Sequence, residues 1–228
     1  MRRFLPFAAL VLLAAPITAA APARPWTAVV TPVATGSYVT GNPGAGVKLV
    51  EYVSYTCPHC AHYAAESKPV VTSMVRSGTL SVEVRNQVHD GLDLIAATLA
   101  RCVGPRAWPA YHERVFADQM QWIERAGEWG EGNRERIASW PQLAQMKAMA
   151  EGAGLTAIAR AAGAPAPAID ACFASDAAVK RVLAVSEATS TGPQGGVQGT
   201  PAFRINGRLV QNVGWAQLQP QLRAAGAK

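Results

Sequence analysis

Charge is scarce in this chain. Only 16% of its 228 residues are Asp, Glu, Lys or Arg, while 50% are hydrophobic. That balance excludes an extended disordered chain and fits a globular protein with a sizeable core. No basic run is interleaved with aromatic residues, so the net charge of +6 means a mildly basic surface and no nucleic-acid footprint. Beyond the first ~20 residues, no apolar stretch is long enough to cross a bilayer. There is no internal repeat, and no low-complexity tract apart from an alanine-rich middle. Cysteine is limited to Cys57, Cys60, Cys102 and Cys172. With a single close pair, a four-ligand structural zinc site has little support. Ala61 stands where haem attachment needs a histidine.

What is present begins with a leader. Arg2-Arg3 form a positive start, Leu5 to Ala15 is an apolar stretch, and Thr18-Ala19-Ala20-Ala21 offers small residues for cleavage. Residues 1–20 are read as a signal peptide cut after Ala20, with Ala21 or Ala23 as alternative ends and an uncleaved anchor as the bland reading. Loss of Arg2 and Arg3 takes the charge from +6 to +4. No lipobox cysteine follows. Export to an oxidising compartment makes the even number of cysteines meaningful, since all four can pair.

Cys57-Pro58-His59-Cys60 is the most informative segment. It follows Val47–Tyr55, a nearly continuous apolar and aromatic run of the kind that forms a central strand buried on both faces. A helix is expected from about Pro58 to Val75, kinked at Pro69, with Pro58 suited to its first position. Cys57 then sits where unpaired N–H groups and the positive helix end stabilise a thiolate. Two residues of spacing let the thiols alternate between dithiol and disulfide. His59 adds positive charge or a donor beside Cys57. His62 reads as a surface histidine.

Thr79–Arg85 alternates with period two, which completes a β-α-β unit with parallel strands. Trp26–Val30 and Tyr38–Val39 have weak strand character, and Gly41-Asn42-Pro43-Gly44 signals a turn. Roughly a hundred helical residues follow. One face carries Leu92, Ile95, Ala96 and Leu99, a second Phe116, Met120 and Ile123, and a third Leu143, Met146 and Ala150. Arg125–Arg134, polar and glycine-rich, is expected to be a loop. Ile169, Cys172 and Phe173 mark a short helix. Asp176 is expected to cap a longer one with Val179, Val182, Leu183 and Ser186 on its inner face. Trp108, Trp122, Trp129 and Trp140 are assigned mainly to core packing, with one or two available to line a groove. Two strand-like runs around Asn206-Gly207 predict a hairpin, and Trp215, Leu218 and Leu222 a last helix.

The segment from Glu51 to Cys60, followed much later by Gly199-Thr200-Pro201-Ala202-Phe203, resembles the DsbA family of thioredoxin-fold thiol–disulfide oxidoreductases over roughly residues 38 to 225. The fold implied is α/β: a mixed central sheet flanked by helices, with an inserted all-helical domain. The boundaries drawn are 21–88 and 187–228 for the two parts of the thioredoxin domain and 89–186 for the insertion. The resemblance makes Cys57 the surface-exposed nucleophile and Cys60 the buried resolving thiol. It makes Glu51 an acid that moves the proton of Cys60. It implies a cis Thr200–Pro201 bond against the cysteine pair, with Thr200 and Gly199 free to pair with an extended substrate strand. Thr200 stands where the family often carries valine and its isomerase and reductase relatives carry threonine. Cys102 and Cys172 are expected to form a structural disulfide.

The function expected is a periplasmic, monomeric dithiol oxidase acting on reduced exported proteins. It has no cofactor beyond the Cys57-Cys60 disulfide and holds no metal. Its implied reoxidant is a DsbB-like membrane partner that passes electrons to quinone. An isomerase or reductase of the same fold is the alternative, weakened because Ala21 to Gly46 is too short for a dimerisation module. Two readings lie in other classes: a copper carrier using Cys57, Cys60 and His62, and a peptide-binding chaperone with incidental thiols.

Overall fold

The computed structural model describes residues 25–193 and 195–228. The leader at 1–20, its cleavage region and the first residues of the 21–88 segment lie outside them. A 3-10 turn, Trp26–Ala28, leads into β1 (Val30–Pro32), β2 (Tyr38–Gly41), β3 (Val47–Val53), α1 (Pro58–Arg76) and β4 (Leu80–Asn86). Seven helices follow: α2 (Gly91–Cys102), α3 (Gly104–Ala117), α4 (Gln119–Ile137), α5 (Gln142–Gly152), α6 (Leu155–Ala161), α7 (Ala166–Cys172) and α8 (Ala177–Thr191). The chain then returns through β5 (Ala202–Ile205), β6 (Arg208–Gln211) and α9 (Trp215–Ala224).

Among the described residues the strands form one six-stranded sheet in the order β1-β2-β4-β3-β5-β6. β3 and β4 are parallel across α1, and the other pairs are antiparallel. The sheet is therefore mixed, and larger by β1 and β2 than the four clear strand signals require. Part of the weak signal at Trp26–Val30 is a 3-10 turn. Pro32 and Gly36 keep β1 and its hairpin short.

β3 explains the site's position. Val47, Leu49, Glu51 and Val53 alternate onto one buried face, while Tyr52 joins a smaller cluster with Val197 and Ala202 on the other. Both faces are covered at its C-terminal end, where Ser54-Tyr55-Thr56 hands the chain to α1. Pro69 lies inside α1 without breaking it. Asn206 and Gly207, at φ 50° and 85°, make the two-residue turn that reverses β5 into β6.

Four helical expectations need correction. Arg125–Arg134 is not a loop but the body of α4. Gly127, Gly130 and Gly132 together cost about 3 kcal/mol relative to alanine. Burial of Trp122 and Ile137 contributes a few kcal/mol in the other direction, about 1.5–3 for each large apolar side chain, and the tertiary gain wins. Phe116, Met120 and Ile123 do not share one helix: the chain breaks at Asp118, and Met120 is exposed. Asp176 makes no cap hydrogen bond; its carboxylate pairs with Lys180 at 2.7 Å. On the same helix Val179 and Val182 are buried, but Leu183 faces solvent. Ser186 accepts a hydrogen bond from the Val88 amide, which ties α8 to the exit of β4. Trp108 and Trp122 are core, whereas Trp140 is exposed beneath the Arg136 guanidinium.

Candidate active site

Cys57 occupies the residue before α1, in extended conformation, with Pro58 at the first helical position. Both Cys57 and Cys60 are free thiols, so the pair is in its dithiol form. Cys60 is fully enclosed. Cys57 is only 8% exposed, so the surface-exposed thiol expected from sequence is a nearly buried one showing an edge to solvent. The peptide bond between Thr200 and Pro201 is cis, and the Thr200 carbonyl accepts the Cys57 thiol at 3.3 Å. The far-separated motifs therefore meet at one sulfur.

The two thiols are electrostatically unequal. A hydrogen bond from the Cys60 thiol pulls the Cys57 pKa down most strongly. Burial opposes it, and the Thr200 side chain together with the Cys60 and His59 amides assists, for a net value of about 5. The amides act at longer range, because the Cys57 side chain makes no ordinary cap hydrogen bond. His59 contributes its backbone N–H to this balance, and its ring is exposed. Burial, then the hydrogen bond given to Cys57, pushes the Cys60 thiol far above the cysteine range.

Glu51 lies in mid-strand on the α1 face, 7% exposed, and accepts the Tyr63 hydroxyl at 2.6 Å. It is not a glutamate facing water. Burial raises its carboxyl to about 7 against the lowering effect of that hydrogen bond. His62 is exposed and pairs with Glu66 at 3.3 Å. A groove of about 330 Å³ runs beside the thiols, bounded by His59, His62, Glu66 and the Gly199-Thr200-Pro201 segment. Among the described residues, no cluster of three or more His, Cys, Asp or Glu side chains is placed to hold a metal.

The insertion builds part of this site through residues the sequence did not reveal. The Gln119 amide, at the start of α4, donates to the carbonyls of Tyr55 and Cys57, both at 2.9 Å. Asp90 caps α2 through the Leu92 and Asp93 amides and accepts the Thr56 hydroxyl at 2.8 Å. Asp93, wholly buried, accepts the amides of Tyr55 and His89 at 2.8 and 3.0 Å, and burial raises its pKa. His89 reaches the Thr200 hydroxyl at 3.3 Å. No periodicity marks these four. The one local signal is the Asp-x-x-Asp spacing at the start of α2. Cys102 and Cys172, the last residues of α2 and α7, form a disulfide with Cα atoms 5.6 Å apart.

Comparison with known proteins agrees with this geometry. The profile of the family described as Thioredoxin matches residues 34–224. A chain of Rickettsia felis, provisionally named a protein-disulfide oxidoreductase, is 28% identical over 176 residues, covering 76% of this chain and 54% of that one. The Rickettsia prowazekii counterpart is 27% identical over 176 residues, again 76% of this chain and 56% of its own. This chain thus spans about half the length of these curated relatives. The crystal structure of a protein-disulfide isomerase from Novosphingobium aromaticivorans superposes with a TM-score of 0.72 at 34% identity, over 83% of this chain and 96% of that one. Wolbachia pipientis α-DsbA1 shares the fold, with a TM-score of 0.60 at 17% identity over 83% of this chain and 90% of its own. With a dithiol motif opening α1, a cis-proline loop on its sulfur and a helical block inserted into a mixed sheet, and with the family match running over residues 34–224, the chain belongs to the thioredoxin family.

Proposed function

We propose that the chain is a dithiol oxidase that introduces disulfides into exported proteins in the periplasm. The observation that supports this best is the inequality of the two thiols: Cys57 is held as a thiolate near neutrality while Cys60 is buried and reluctant to ionise. A stable Cys57 thiolate favours the reduced pair, and that makes its disulfide oxidising.

In the oxidised form, a substrate thiolate attacks the Cys57 sulfur. A substrate–Cys57 bond forms, the Cys57–Cys60 bond breaks, and the electron pair stays on Cys60. Cys60 takes a proton, for which the buried Glu51 carboxyl, raised to about 7 by burial, is suited. A second substrate thiolate then attacks the substrate sulfur of the mixed disulfide and expels Cys57 as a thiolate. Two electrons have moved to the protein, and reoxidation falls to a DsbB-like membrane quinone reductase. Thr200 and Gly199 offer backbone to an extended substrate segment in the groove. The molecule acts as a monomer.

An isomerase is the second reading, favoured by the 34% identical Novosphingobium protein and by Thr200 before the cis-proline. Ribonuclease refolding separates the two. An oxidase restores activity to reduced ribonuclease and gives a glutathione equilibrium on the oxidising side. Rescue of scrambled ribonuclease only, with a reducing equilibrium, would overturn the oxidase reading.

A further inference from the structure

A buried acid that exchanges a proton with a buried sulfur needs a path to water. Glu51 sits on the inner face of β3, enclosed by α1 and the neighbouring strands. Its register partners are Val84 on β4 and Phe203 on β5, neither of which titrates. The titratable group that touches it comes from α1: Tyr63, at 2.6 Å, with Cys60 one helical turn before Tyr63 on the same helix. α9 contributes Trp215, whose ring lies 6.2 Å from that of Tyr63. Tyr63 is itself buried, held by Phe203 at 4.7 Å and by Trp215. It also lines the groove, which Glu51 does not. Among the described residues Tyr63 is thus the one side chain that both borders the groove and hydrogen-bonds the acid.

We propose that the Tyr63 hydroxyl is a positioning group of this site, holding the buried Glu51 carboxyl in place for its proton exchange with Cys60. The inference deepens the redox reading above and rests on it. When the Cys57–Cys60 bond breaks, the new Cys60 thiolate takes the Glu51 proton. Glu51 is then reprotonated from solvent, while Tyr63 keeps its proton and donates its hydrogen bond to the carboxylate throughout. One proton enters from solvent, one ends on Cys60, and Glu51 and Tyr63 finish as they began. Tyr63 acts through Glu51 and is a positioning residue. Its side chain feels the charge of Glu51 and of Cys60 and has Ser67 as a second hydrogen-bond partner.

The test is Tyr63→Phe, which keeps the ring between Phe203 and Trp215 and removes only the hydroxyl. The hydrogen bond stabilises the Glu51 carboxylate, so its loss moves the titration midpoint of Glu51 upward by about one pH unit. Infrared difference spectroscopy of the full chain reads that midpoint, and the carbonyl stretch of protonated Glu51 moves to the higher frequency of a free acid. The pH profile of mixed-disulfide resolution moves upward with it. Glu51→Gln abolishes this pH dependence, and adding Tyr63→Phe to it has no further effect. Site-specific 3,5-difluorotyrosine at 63, a stronger donor, moves both midpoints down and serves if Tyr63→Phe does not fold. Wild-type infrared and kinetic midpoints in either Tyr63 variant would overturn the proposal. Failure of the redox reading is a separate result: wild-type protein would transfer no disulfide while the infrared shift remained.

Discussion

Gln119 is the sharpest test of how the insertion builds the site. Its side chain is 4% exposed, and one amide nitrogen serves the carbonyls of Tyr55 and Cys57 at 2.9 Å each. The Cys57 carbonyl also accepts the amides of Cys60 and Ala61 at 3.1 and 3.3 Å, so it stays satisfied without Gln119. The Tyr55 carbonyl does not share that reserve. Gln119→Ala therefore costs the loss of about one useful hydrogen bond and leaves a buried acceptor unpaired, about 2 kcal/mol in total. Gln119→Glu is worse at pH 7, because an ionised carboxylate then faces two carbonyl oxygens without a donor. The cost of an uncompensated buried charge is about 3–5 kcal/mol. The burial that makes it costly raises the folded-state pKa of that new carboxyl above its unfolded value. Its penalty is present above the folded pKa and fades as pH falls through it, where the neutral acid donates one bond. Urea unfolding of the reduced protein at pH 7 and pH 4 reads both effects. The expected order at pH 7 is wild type, then Gln119→Ala, then Gln119→Glu, with the last recovering at pH 4. Two variants within roughly 0.5 kcal/mol of wild type at pH 7 would refute the reasoning, since that is the range of uninvolved surface changes.

Two further outcomes follow from the same chemistry. The folded-state pKa of Cys57 is depressed from 9.0 to about 5, so its thiolate stabilises the reduced protein fully above the unfolded pKa, and the benefit is lost as pH falls through 5. At pH 7 the unscreened value is about 2.7 kcal/mol, reduced to about 1–2 because the sulfur's edge meets solvent. Urea unfolding should show the reduced form gaining that much over the oxidised form between pH 4 and 7; a gap independent of pH contradicts it. Replacing Cys102 and Cys172 together by alanine frees a 70-residue loop and should cost up to about 4 kcal/mol in unfolding free energy without moving the Cys57 titration. A shifted titration would show that the bond tunes the redox site as well as the insertion.

The sequence carried the thioredoxin frame because its strongest signals are local. A buried strand running into Cys57-Pro58-His59-Cys60, a β-α-β alternation and an Asn-Gly turn each depend on a few adjacent residues. The insertion's contribution is not local. Gln119 is an ordinary polar residue until α4 brings it 62 positions back onto the Cys57 carbonyl. His89 is an exposed histidine until the cis-proline loop returns to it. The glycines of α4 read as a loop because propensity is local, whereas the burial of Trp122 and Ile137 that outweighs them is tertiary. His59 is read from its motif position as a ring acting on Cys57; in the structure its backbone N–H is among the groups that lower that thiol's pKa, and its ring is exposed.

The account stands on the ionisation of one sulfur. Absorbance at 240 nm across a pH titration of the reduced protein reads the Cys57 thiolate directly, with Cys60 silent in the working range. A midpoint near 5 is the predicted result. A midpoint at the ordinary cysteine value of about 8.5 would contradict it.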